Sequence, residues 1–393
     1  MEQFDVIVVG AGAAGMMCAI EAGKRGRRVL VLDHAAKPGE KIRISGGGRC
    51  NFTNIHTSPA QFLSANPKFC VSALRRYTPT DFIALVGKHG IAFHEKTLGQ
   101  LFCDDSARQI IQMLLDEMAA VGAELRLETA VDRVTRREGG FELAIGGRVA
   151  ACESLVVATG GKSIPKMGAT GWAYDVARQF GVPIVETRPA LVPLTFEVGL
   201  LETLKPLAGV AVDTRVKAER GPPFAEAMLF THRGLSGPSI LQVSSYWREG
   251  EAIEVDMAPG VDLFETLKAA RRETPKRALS TVLHQWLPDR LAHKAAADAG
   301  AAGNIADASD KVLRAAATAV NAWRVKPVGS EGYRTAEVTL GGIDTRALNS
   351  RTMQAEAVAG LYFIGECVDV TGWLGGYNFQ WAWASAWCAG QAV

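Results

Sequence analysis

The first 33 residues alternate short apolar runs with a helical pattern. Residues 4–9 form an apolar run typical of a buried strand, residues 13–23 have helical character, and residues 29–32 form a second apolar run that ends at Asp33. Three glycines separate the first strand from the helix in the spacing Gly-x-Gly-x-x-Gly, namely Gly10, Gly12 and Gly15. Strand, glycine turn, helix and second strand together predict a Rossmann unit that binds a dinucleotide.

Each part of this unit has a physical role in the prediction. Gly10 permits the tight turn, Gly12 lets the backbone approach a pyrophosphate, and Gly15 allows the helix to pack closely on the strand. The free N–H groups and the positive end of the helix dipole favour a diphosphate. Asp33 stands at the spacing of an acid that accepts a hydrogen bond from a ribose 2′-hydroxyl. The alternative is a purely structural glycine-rich turn.

Later apolar runs continue the α/β pattern. Residues 154–161 form an apolar strand that runs into the turn Ala-Thr-Gly-Gly. Residues 360–366 form another buried strand, which ends in Gly-Glu. At 375–378 the sequence Gly-Gly-Tyr-Asn opens a helix that continues towards the C-terminus. The nucleotide-binding pattern is therefore expected at both ends of the chain.

The residues between these blocks have a different pattern. Apolar and charged residues alternate at 210–217 and at 253–257, as in strands with one exposed face. The pattern turns helical from Asp262, and residues 308–323 carry their apolar positions on one helical stripe, which ends before Pro327.

This division predicts a fold of the α/β class with an interrupted nucleotide-binding domain. We expect a discontinuous Rossmann-like dinucleotide-binding domain at 1–192 and 336–393, with an inserted domain at 193–335. The insert is expected to be β-rich over 193–258 and helical over 260–326.

Composition and charge narrow the class of protein. A net charge of +2 with 21% charged residues favours a protein without a nucleic-acid partner. Three features favour a cytoplasmic protein with no membrane span. The seven cysteines are scattered without a Cys-x-x-Cys pair, the N-terminus has no basic leader, and no apolar run is long enough for a bilayer. The dispersed histidines predict no metal site. Nothing in the sequence fixes the oligomeric state.

The motifs as a set resemble those of known flavoproteins. The Ala-Thr-Gly turn, the late Gly-Glu strand and the terminal helix resemble the landmarks of two-dinucleotide-fold flavoproteins of the glutathione-reductase type. The blocks 41–54, 158–174, 230–241 and 365–384 further resemble the bacterial FAD-dependent family often called BaiN-like. That resemblance implies non-covalent FAD and an oxidoreductase. It implies no settled substrate, since members are linked to steroid enone reduction and to amine oxidation.

The resemblance and the glycine turn together define the expected cofactor contacts. They fall in four segments of the chain, 10–15, 41–51, 158–161 and 365–379, and at two single positions between these segments. The expected residues are Gly10, Gly12, Ala13, Ala14, Gly15, Asp33, Lys41, Ser45, Gly46, Gly47, Gly48, Arg49, Cys50, Asn51, Val131, Ala158, Thr159, Gly160, Gly161, Gly365, Glu366, Gly375, Gly376, Tyr377, Asn378 and Phe379.

Residues for catalysis are less defined, because the flavin itself carries the redox step. Arg49 could anchor a substrate or contact the pyrophosphate, and Cys50 could be a redox partner or only a packed thiol. His232 has an imidazole suited to proton transfer, but a structural histidine is the alternative. Tyr377 could donate a proton or pack at the helix start. The catalytic residue is therefore left open among Arg49, Cys50 and His232.

Three functions remain open from the sequence. The first is an FAD-dependent oxidoreductase of a small molecule, with hydride transfer at flavin N5 in a cleft between the FAD domain and the insert. The second is a redox-sensing or scaffolding flavoprotein, and the third is a flavin-dependent RNA-modifying enzyme. Only one Gly-x-Gly-x-x-Gly is present, so NAD(P)H, if it is the electron donor, is expected to bind transiently. Oxygen and quinones are the alternative redox partners.

Overall fold

The computed structural model describes residues 1–393. The chain forms two compact units. The first unit comprises Met1–Arg188 and Val338–Val393, and the second comprises Pro189–Glu337. The second unit is thus an insertion in the chain of the first.

The strands in chain order are β1 (Glu2–Val9), β2 (Val29–Leu32), β3 (Asn51–Asn54), β4 (Phe62–Leu63), β5 (Phe93–Glu95), β6 (Gln100–Cys103), β7 (Glu124–Arg126), β8 (Arg133–Arg137), β9 (Gly140–Ile145), β10 (Arg148–Val157), β11 (Ile184–Ala190), β12 (Leu194–Thr195), β13 (Ala211–Ala218), β14 (Phe224–Phe230), β15 (Gly234–Ser236), β16 (Ile253–Asp256), β17 (Trp323–Val325), β18 (Gly329–Ser330), β19 (Val338–Ile343), β20 (Leu361–Phe363) and β21 (Thr371–Gly372).

The α-helices in chain order are α1 (Ala13–Lys24), α2 (Glu40–Gly48), α3 (Cys70–Arg76), α4 (Pro79–Lys88), α5 (Ala107–Ala120), α6 (Trp172–Gln179), α7 (Val198–Leu204), α8 (Pro238–Ser244), α9 (Leu263–Glu273), α10 (Leu279–Leu283), α11 (Asp289–Asp298), α12 (Asp310–Asn321) and α13 (Tyr377–Gly390). No helix combines the length and the apolarity that crossing a bilayer requires.

The main sheet of the first unit has a parallel centre. Its strand order is β7-β2-β1-β10-β9-β8, and β20 pairs with the second half of β10. β1 runs parallel to both β2 and β10, whereas β9 is antiparallel to β10. The central strands are apolar throughout because both faces of a parallel sheet are covered; Ile7 and Val8 are fully buried.

Helix α1 packs on this sheet, and α13 packs on α1. α13 is buried on most of its circumference, and its fully buried Trp381 and Trp383 fill the space beside α1 and β3. Two small sheets complete the unit, β3-β6-β5 and β21-β4. Helix α13 therefore lies against α1 and β3, two elements that follow the first glycine turn in the chain.

The second unit has its own antiparallel sheet and a helical cover. The strand order is β17-β16-β13-β14-β15-β12-β18, so that β17 and β18 form the edges. α9 packs against α12, which turns Leu313, Ala316 and Val320 inward. The predicted helix at 308–323 is observed at Asp310–Asn321, and the opposite face of that helix is exposed.

Candidate functional site

The glycine turn after β1 is built so that two of its glycines are required by packing and the third leaves open space. A Cβ on Gly10 would lie 2.4 Å from the carbonyl oxygen of Ala158, and Gly10 has φ +112°. A Cβ on Gly15 would lie 1.8 Å from the carbonyl oxygen of Gly10. A Cβ on Gly12 would meet no atom within 4 Å. The open space therefore lies at the position where a pyrophosphate would approach the backbone.

The start of α1 faces that open space with unpaired donors. Gly12 is the N-cap, and no side chain caps the helix. The N–H groups of Ala13, Ala14 and Gly15 belong to the first turn, which has no intrahelical acceptors. An anion is the ligand that such an end binds best, because the helix dipole adds to the free donors.

Asp33 lies beside the same turn. Its Oδ2 accepts a hydrogen bond from the backbone N–H of Ala11 at 2.7 Å, and its Oδ1 accepts from the N–H of Ala35 at 2.8 Å. The N–H of Thr129 donates to the carbonyl of Asp33 at 2.8 Å, which places the segment before Val131 next to the end of β2. Val131 is half-buried and packs on the core.

The second glycine turn, at residues 158–161, is tied to the first. The N–H of Ala158 donates to the carbonyl of Val9 at 2.8 Å. The hydroxyl oxygen of Thr159 is buried and has no hydrogen-bond partner within the protein. Gly160 has φ +73°, and a Cβ on Gly161 would lie 2.3 Å from the hydroxyl of Thr339. A buried hydroxyl without a partner beside an open glycine turn is typical of a site that binds a polar ligand. We conclude that the two glycine turns and Asp33 fit a dinucleotide.

A polar network lies next to this turn. Lys41 binds Glu366 and donates to the hydroxyl of Ser163 at 2.5 Å. The Ser163 hydroxyl donates to Glu366 Oε1 at 2.8 Å, and the N–H of Thr339 donates to the same oxygen at 3.0 Å. Ser163 and Thr339 were not identified as site residues from the sequence, because single hydroxyl residues carry no motif of their own. The Glu366 carboxylate is thereby fixed from three directions.

Residues 41–54 were expected as a glycine loop, but their first part is the helix α2. It is kinked at Ser45, Gly46 and Gly47, where the backbone leaves the helical region. A Cβ on Gly46 would lie 2.7 Å from the ring of Phe102, whereas one on Gly47 would meet nothing within 4 Å. Gly48 ends the helix with φ +88°.

The residues after the kink differ in exposure. Arg49 is exposed and follows the end of α2. The side-chain amide of Asn51 lies 3.3 Å from the amide of Gln100. Arg49 therefore lies at the end of the kinked helix, and Asn51 begins the strand β3 that follows it.

The terminal glycines pack closely against the strand β3. A Cβ on Gly376 would lie 2.4 Å from the carbonyl oxygen of Thr53, and the carbonyl of Gly375 accepts from Asn54 Nδ2 at 2.9 Å. α13 begins at Tyr377 without a side-chain cap, so its first N–H groups are available to an anionic group. Gly365 donates its N–H to Ser385 at 3.0 Å, which ties the Gly-Glu strand end to the same helix.

Asn378 lies in the first turn of α13, and its side-chain amide is bonded to the loop before the helix. Its Oδ1 accepts from the N–H of Gly372 at 2.8 Å, and its Nδ2 donates to the carbonyl of Gly372 at 2.9 Å. Both ends of the amide are thus used to hold the preceding loop rather than extending towards a ligand. Phe379 stacks on Trp383 with ring centroids 5.8 Å apart, which is a packing contact.

The three candidates for catalysis have different surroundings, each within its own unit. Cys50 is fully buried, and burial raises the pKa of its thiol far above the usual range, which disfavours the reactive thiolate. His232 lies in the exposed turn between β14 and β15 of the second unit. Arg49 is the one candidate that is exposed next to the glycine kink.

Comparison with known proteins gives one family and three informative relatives. The chain matches the family described as HI0933-like protein Rossmann domain over residues 4–392. It is 54% identical to the ribosomal RNA dihydrouridine synthase of Escherichia coli strain K12, over 100% of this chain and 98% of that protein. It is 45% identical to the protein of the same name from Haemophilus influenzae, over 100% and 99% of the two chains.

A third relative acts on a different class of substrate. It is the 3-dehydro-bile acid Δ4,6-reductase of Clostridium scindens, which is 26% identical over 98% of each chain. The expected Rossmann-like α/β fold of an FAD-binding protein is confirmed by the family match together with the parallel sheet and glycine turn.

The expectation of no nucleic-acid partner is wrong. It was based on the net charge, and it is contradicted by the two relatives at 54% and 45% identity, both of which are named for an activity on ribosomal RNA. The physical reason is that a net charge sums over the whole chain. It does not describe how cations and anions are distributed on the surface.

Proposed function

The chain belongs to the HI0933-like family of Rossmann-domain proteins, and on that basis we propose that it is an FAD-dependent enzyme that reduces uridine to dihydrouridine in ribosomal RNA. The observation that carries this proposal is the 54% identity to a ribosomal RNA dihydrouridine synthase over the full length of this chain. The proposal replaces the small-molecule oxidoreductase that the sequence alone favours.

We assign the cofactor contacts to the residues described above. The diphosphate of non-covalently bound FAD is held at Gly12–Gly15 and the adenosine ribose by Asp33. The hydroxyl of Thr159, which has no partner within the protein, is placed to bond the same ligand. The uncapped start of α13 contacts the pyrimidine side of the flavin, where negative charge accumulates on reduction. Arg49, which forms no ion pair, is available to a phosphate of the cofactor or of the RNA.

The reaction adds two hydrogen atoms across the C5=C6 bond of uracil, which is conjugated to the C4 carbonyl. When bound in its reduced form, FAD supplies a hydride, and a proton from an acid or from water completes the addition. The protein's contribution is to hold the base against the ring, to exclude water and to fix the cofactor through the Lys41–Glu366–Ser163 network.

The bile-acid relative favours a second candidate, which is reduction of an activated C=C bond in a small molecule. Uracil and an enone share a C=C bond conjugated to a carbonyl, so one flavin site could reduce either. A redox-sensing or scaffolding flavoprotein is the remaining alternative. If NAD(P)H is the electron donor in either reaction, it binds transiently at the flavin face, because the chain contains a single Gly-x-Gly-x-x-Gly.

The test is dihydrouridine formation by the purified protein. FAD-loaded protein, reduced anaerobically with NADPH or dithionite, is incubated with ribosomal RNA from cells that lack this protein's gene. Nucleoside mass spectrometry then measures dihydrouridine. We expect dihydrouridine to appear in ribosomal RNA, and not with the Gly12→Val variant, in which the added side chain fills the diphosphate space. Transfer RNA and a panel of enones are the parallel substrates.

The outcomes separate the candidates. Dihydrouridine in ribosomal RNA alone supports the proposal. Reduction of an enone without any dihydrouridine would move the assignment to the small-molecule reductase. Flavin that neither substrate reoxidises faster than buffer would favour the sensor or scaffold. If the protein is colourless and releases no FAD on denaturation, even after reconstitution, all three candidate functions are wrong, because each of them requires bound flavin.

A further inference from the structure

One exposed face of α12, together with the edge strand β17, lines an open groove in the second unit. Its volume is about 590 Å³. Three cationic residues line it, Lys311, Arg314 and Arg324, and no acidic side chain does. This contrasts with the chain as a whole, where 43 Lys and Arg residues are nearly balanced by 41 Asp and Glu residues.

The charges of the groove are largely unneutralised. Lys311 and Arg324 are exposed and form no ion pair, and the guanidinium of Arg314 lies 3.9 Å from the ring centroid of Phe264 rather than on an acid. The neighbouring acid Asp310 is held at 2.6 Å by Arg271, which lies outside the groove.

One further acid lies near the groove on the sheet side. Glu254 is in register with Arg324 on one side and with Lys217 on the other, so that a single carboxylate stands between two cations. A net positive field therefore remains along the groove, and it favours a polyanion.

The shape of the groove fits an extended chain. Ala315, Ala319 and Ala322 follow one another on the exposed face of α12 and leave the helix backbone close to the surface. The stripe from Lys311 to Ala322 extends about 16 Å along the helix axis at a rise of 1.5 Å per residue. Cations stand at both ends of this stripe, so several successive negative charges could be contacted at once.

An aromatic ring forms part of the groove surface. Trp323 lines the groove and is half-buried. On its inner side it packs against Phe230 and Phe196, with ring centroids 6.0 Å and 6.5 Å away, which fixes the ring in place. A fixed aromatic beside a row of cations is the arrangement that proteins use to bind single-stranded nucleic acid, since bases stack on the ring while phosphates meet the cations.

We propose that this groove binds a single-stranded segment of the ribosomal RNA substrate, with phosphates on Lys311, Arg314 and Arg324 and a base stacked on Trp323. The choice of RNA as the occupant rests on the proposed function. Lys311 is not needed for the fold, because α12 is held by its opposite, apolar face, and Arg324 is an exposed residue of β17 that forms no ion pair. Their position on the exposed face is therefore explained by the partner and not by packing.

The test measures affinity, independently of catalysis. The holoenzyme is titrated into a fluorescein-labelled, single-stranded RNA of 20 nucleotides, and fluorescence anisotropy is followed from 50 to 300 mM KCl. The test variant is Lys311→Gln/Arg324→Gln. The matched control is Lys205→Gln/Lys276→Gln, which removes two exposed cations of the same unit outside the groove.

We expect the groove variant to bind more weakly and with less dependence on salt. Each phosphate contact on a single strand contributes about 0.7 to the slope of log K against log [salt], so the slope should become shallower by about 1.4 and the affinity at 0.1 M KCl should fall about 25-fold. The control should match the wild type. A groove variant that binds RNA like the control would overturn the proposal.

Two substitutions of Trp323 test separately whether a base stacks on its ring. Trp323→Leu should weaken RNA binding roughly 5- to 150-fold, the equivalent of the 1–3 kcal/mol that base stacking contributes, and Trp323→Phe should restore most of it. Thermal melting of both variants reports whether the contacts to Phe196 and Phe230 survive. If the folded Leu and Phe variants bind RNA equally, no base stacks on Trp323.

The groove and the proposed reaction can fail separately. If wild-type protein forms dihydrouridine in ribosomal RNA and the groove variant retains both affinity and activity, the groove proposal alone is wrong. If wild-type protein forms no dihydrouridine yet binds the labelled RNA through the groove, the proposed reaction is wrong and the groove stands as an RNA-binding surface.

Discussion

Asp33 accepts a hydrogen bond of 2.7 Å from the backbone N–H of Ala11, so the acid at the end of β2 is joined directly to the glycine turn after β1. The second oxygen accepts from Ala35 at 2.8 Å. An ionised carboxylate has about four acceptor sites, so both oxygens can still accept from a ribose. The side chain is 17% exposed, which leaves it accessible to a ligand. One carboxylate thus fixes the turn and is placed to bind the nucleotide.

Asp33→Ala should therefore weaken FAD binding without unfolding the protein. A hydrogen bond to a charged group contributes about 1.5–3 kcal/mol, which corresponds to a roughly 10- to 150-fold higher Kd. Titration of apoprotein with FAD, followed by flavin fluorescence, measures this. Asp5→Ala is the matched control, because Asp5 also accepts one backbone N–H, from Arg28 at 2.7 Å, but it lies at the start of β1. Equal FAD affinity in the two variants would remove Asp33 from the ribose site.

Gly12 and Gly15 should respond to substitution in opposite ways. Gly15→Ala places a Cβ 1.8 Å from the carbonyl of Gly10, so we expect a loss of at least about 1–3 kcal/mol of stability even in the apoprotein. Gly12→Val meets no protein atom at its Cβ, so the melting temperature of the apoprotein should be nearly unchanged while FAD no longer binds. Differential scanning calorimetry with and without FAD distinguishes the two. A Gly12→Val protein that retains FAD would show that the diphosphate lies elsewhere.

The parts of the site that the sequence predicts are the local ones. A strand, a glycine turn and a helix are neighbours in the chain, and the chemistry of Gly10, Gly12 and Gly15 follows from their own backbone. The Lys41–Glu366–Ser163 network was not predictable as a network, since Lys41 is 122 residues from Ser163 and 325 from Glu366. Such a contact depends on how the whole sheet brings separate motifs together.

Two further differences between the sequence-based expectations and the structure have the same physical origin. The sequence leaves Cys50 open between a redox partner and a packed thiol, and the fold buries it completely just before β3, which pairs with β6. The near-neutral charge of the chain indicates no RNA surface, yet the helical period of α12 places Lys311 and Arg314 on one face while its apolar residues take the other. Burial and charge segregation are properties of the folded surface, and composition averages over them.

The buried thiols should make the protein sensitive to alkaline pH. All seven cysteines are free and buried, and burial raises the pKa of each thiol, for Cys103 to about 11. In the unfolded chain a thiol has a pKa of about 8.5. The folded state therefore keeps protons that the unfolded state loses above that pH, so stability is complete below about pH 8.5 and falls as pH rises, by up to about 1.4 kcal/mol per pH unit for each thiol.

Urea unfolding of wild type and Cys50→Ala from pH 7 to 10 checks this effect. The free energy of unfolding should fall less steeply with pH in the variant, and iodoacetamide at pH 7.5 should leave Cys50 of the native protein unlabelled. Parallel curves for the two proteins, or rapid alkylation of Cys50, would show that this thiol is accessible and restore it as a redox candidate.

Asn378 should matter for holding the loop before α13 rather than for direct contact with the flavin. Its amide binds Gly372 through both the N–H and the carbonyl, at 2.8 and 2.9 Å, and donates to the carbonyl of Trp373 at 3.2 Å. Because β21 pairs with β4, these bonds connect the start of the helix to a strand on the other side of the loop. Asn378→Leu removes all of them, and at about 1 kcal/mol for each hydrogen bond it should cost roughly 2–3 kcal/mol of stability and weaken FAD retention together.

Two comparisons make this prediction specific. Asn378→Asp keeps the acceptor for the Gly372 N–H but loses the donor to the Gly372 carbonyl, so its effect on both quantities should be intermediate. Asn349→Leu is the control, because Asn349 Oδ1 accepts from Arg351 and Thr352 at 3.0 and 3.3 Å in a turn beside the C-terminal end of α13 and not its start. It should lower the melting temperature without affecting FAD. If Asn378→Leu instead shifts the flavin reduction potential while stability and FAD affinity stay at wild-type values, the amide acts on the cofactor itself and the loop-holding assignment is wrong.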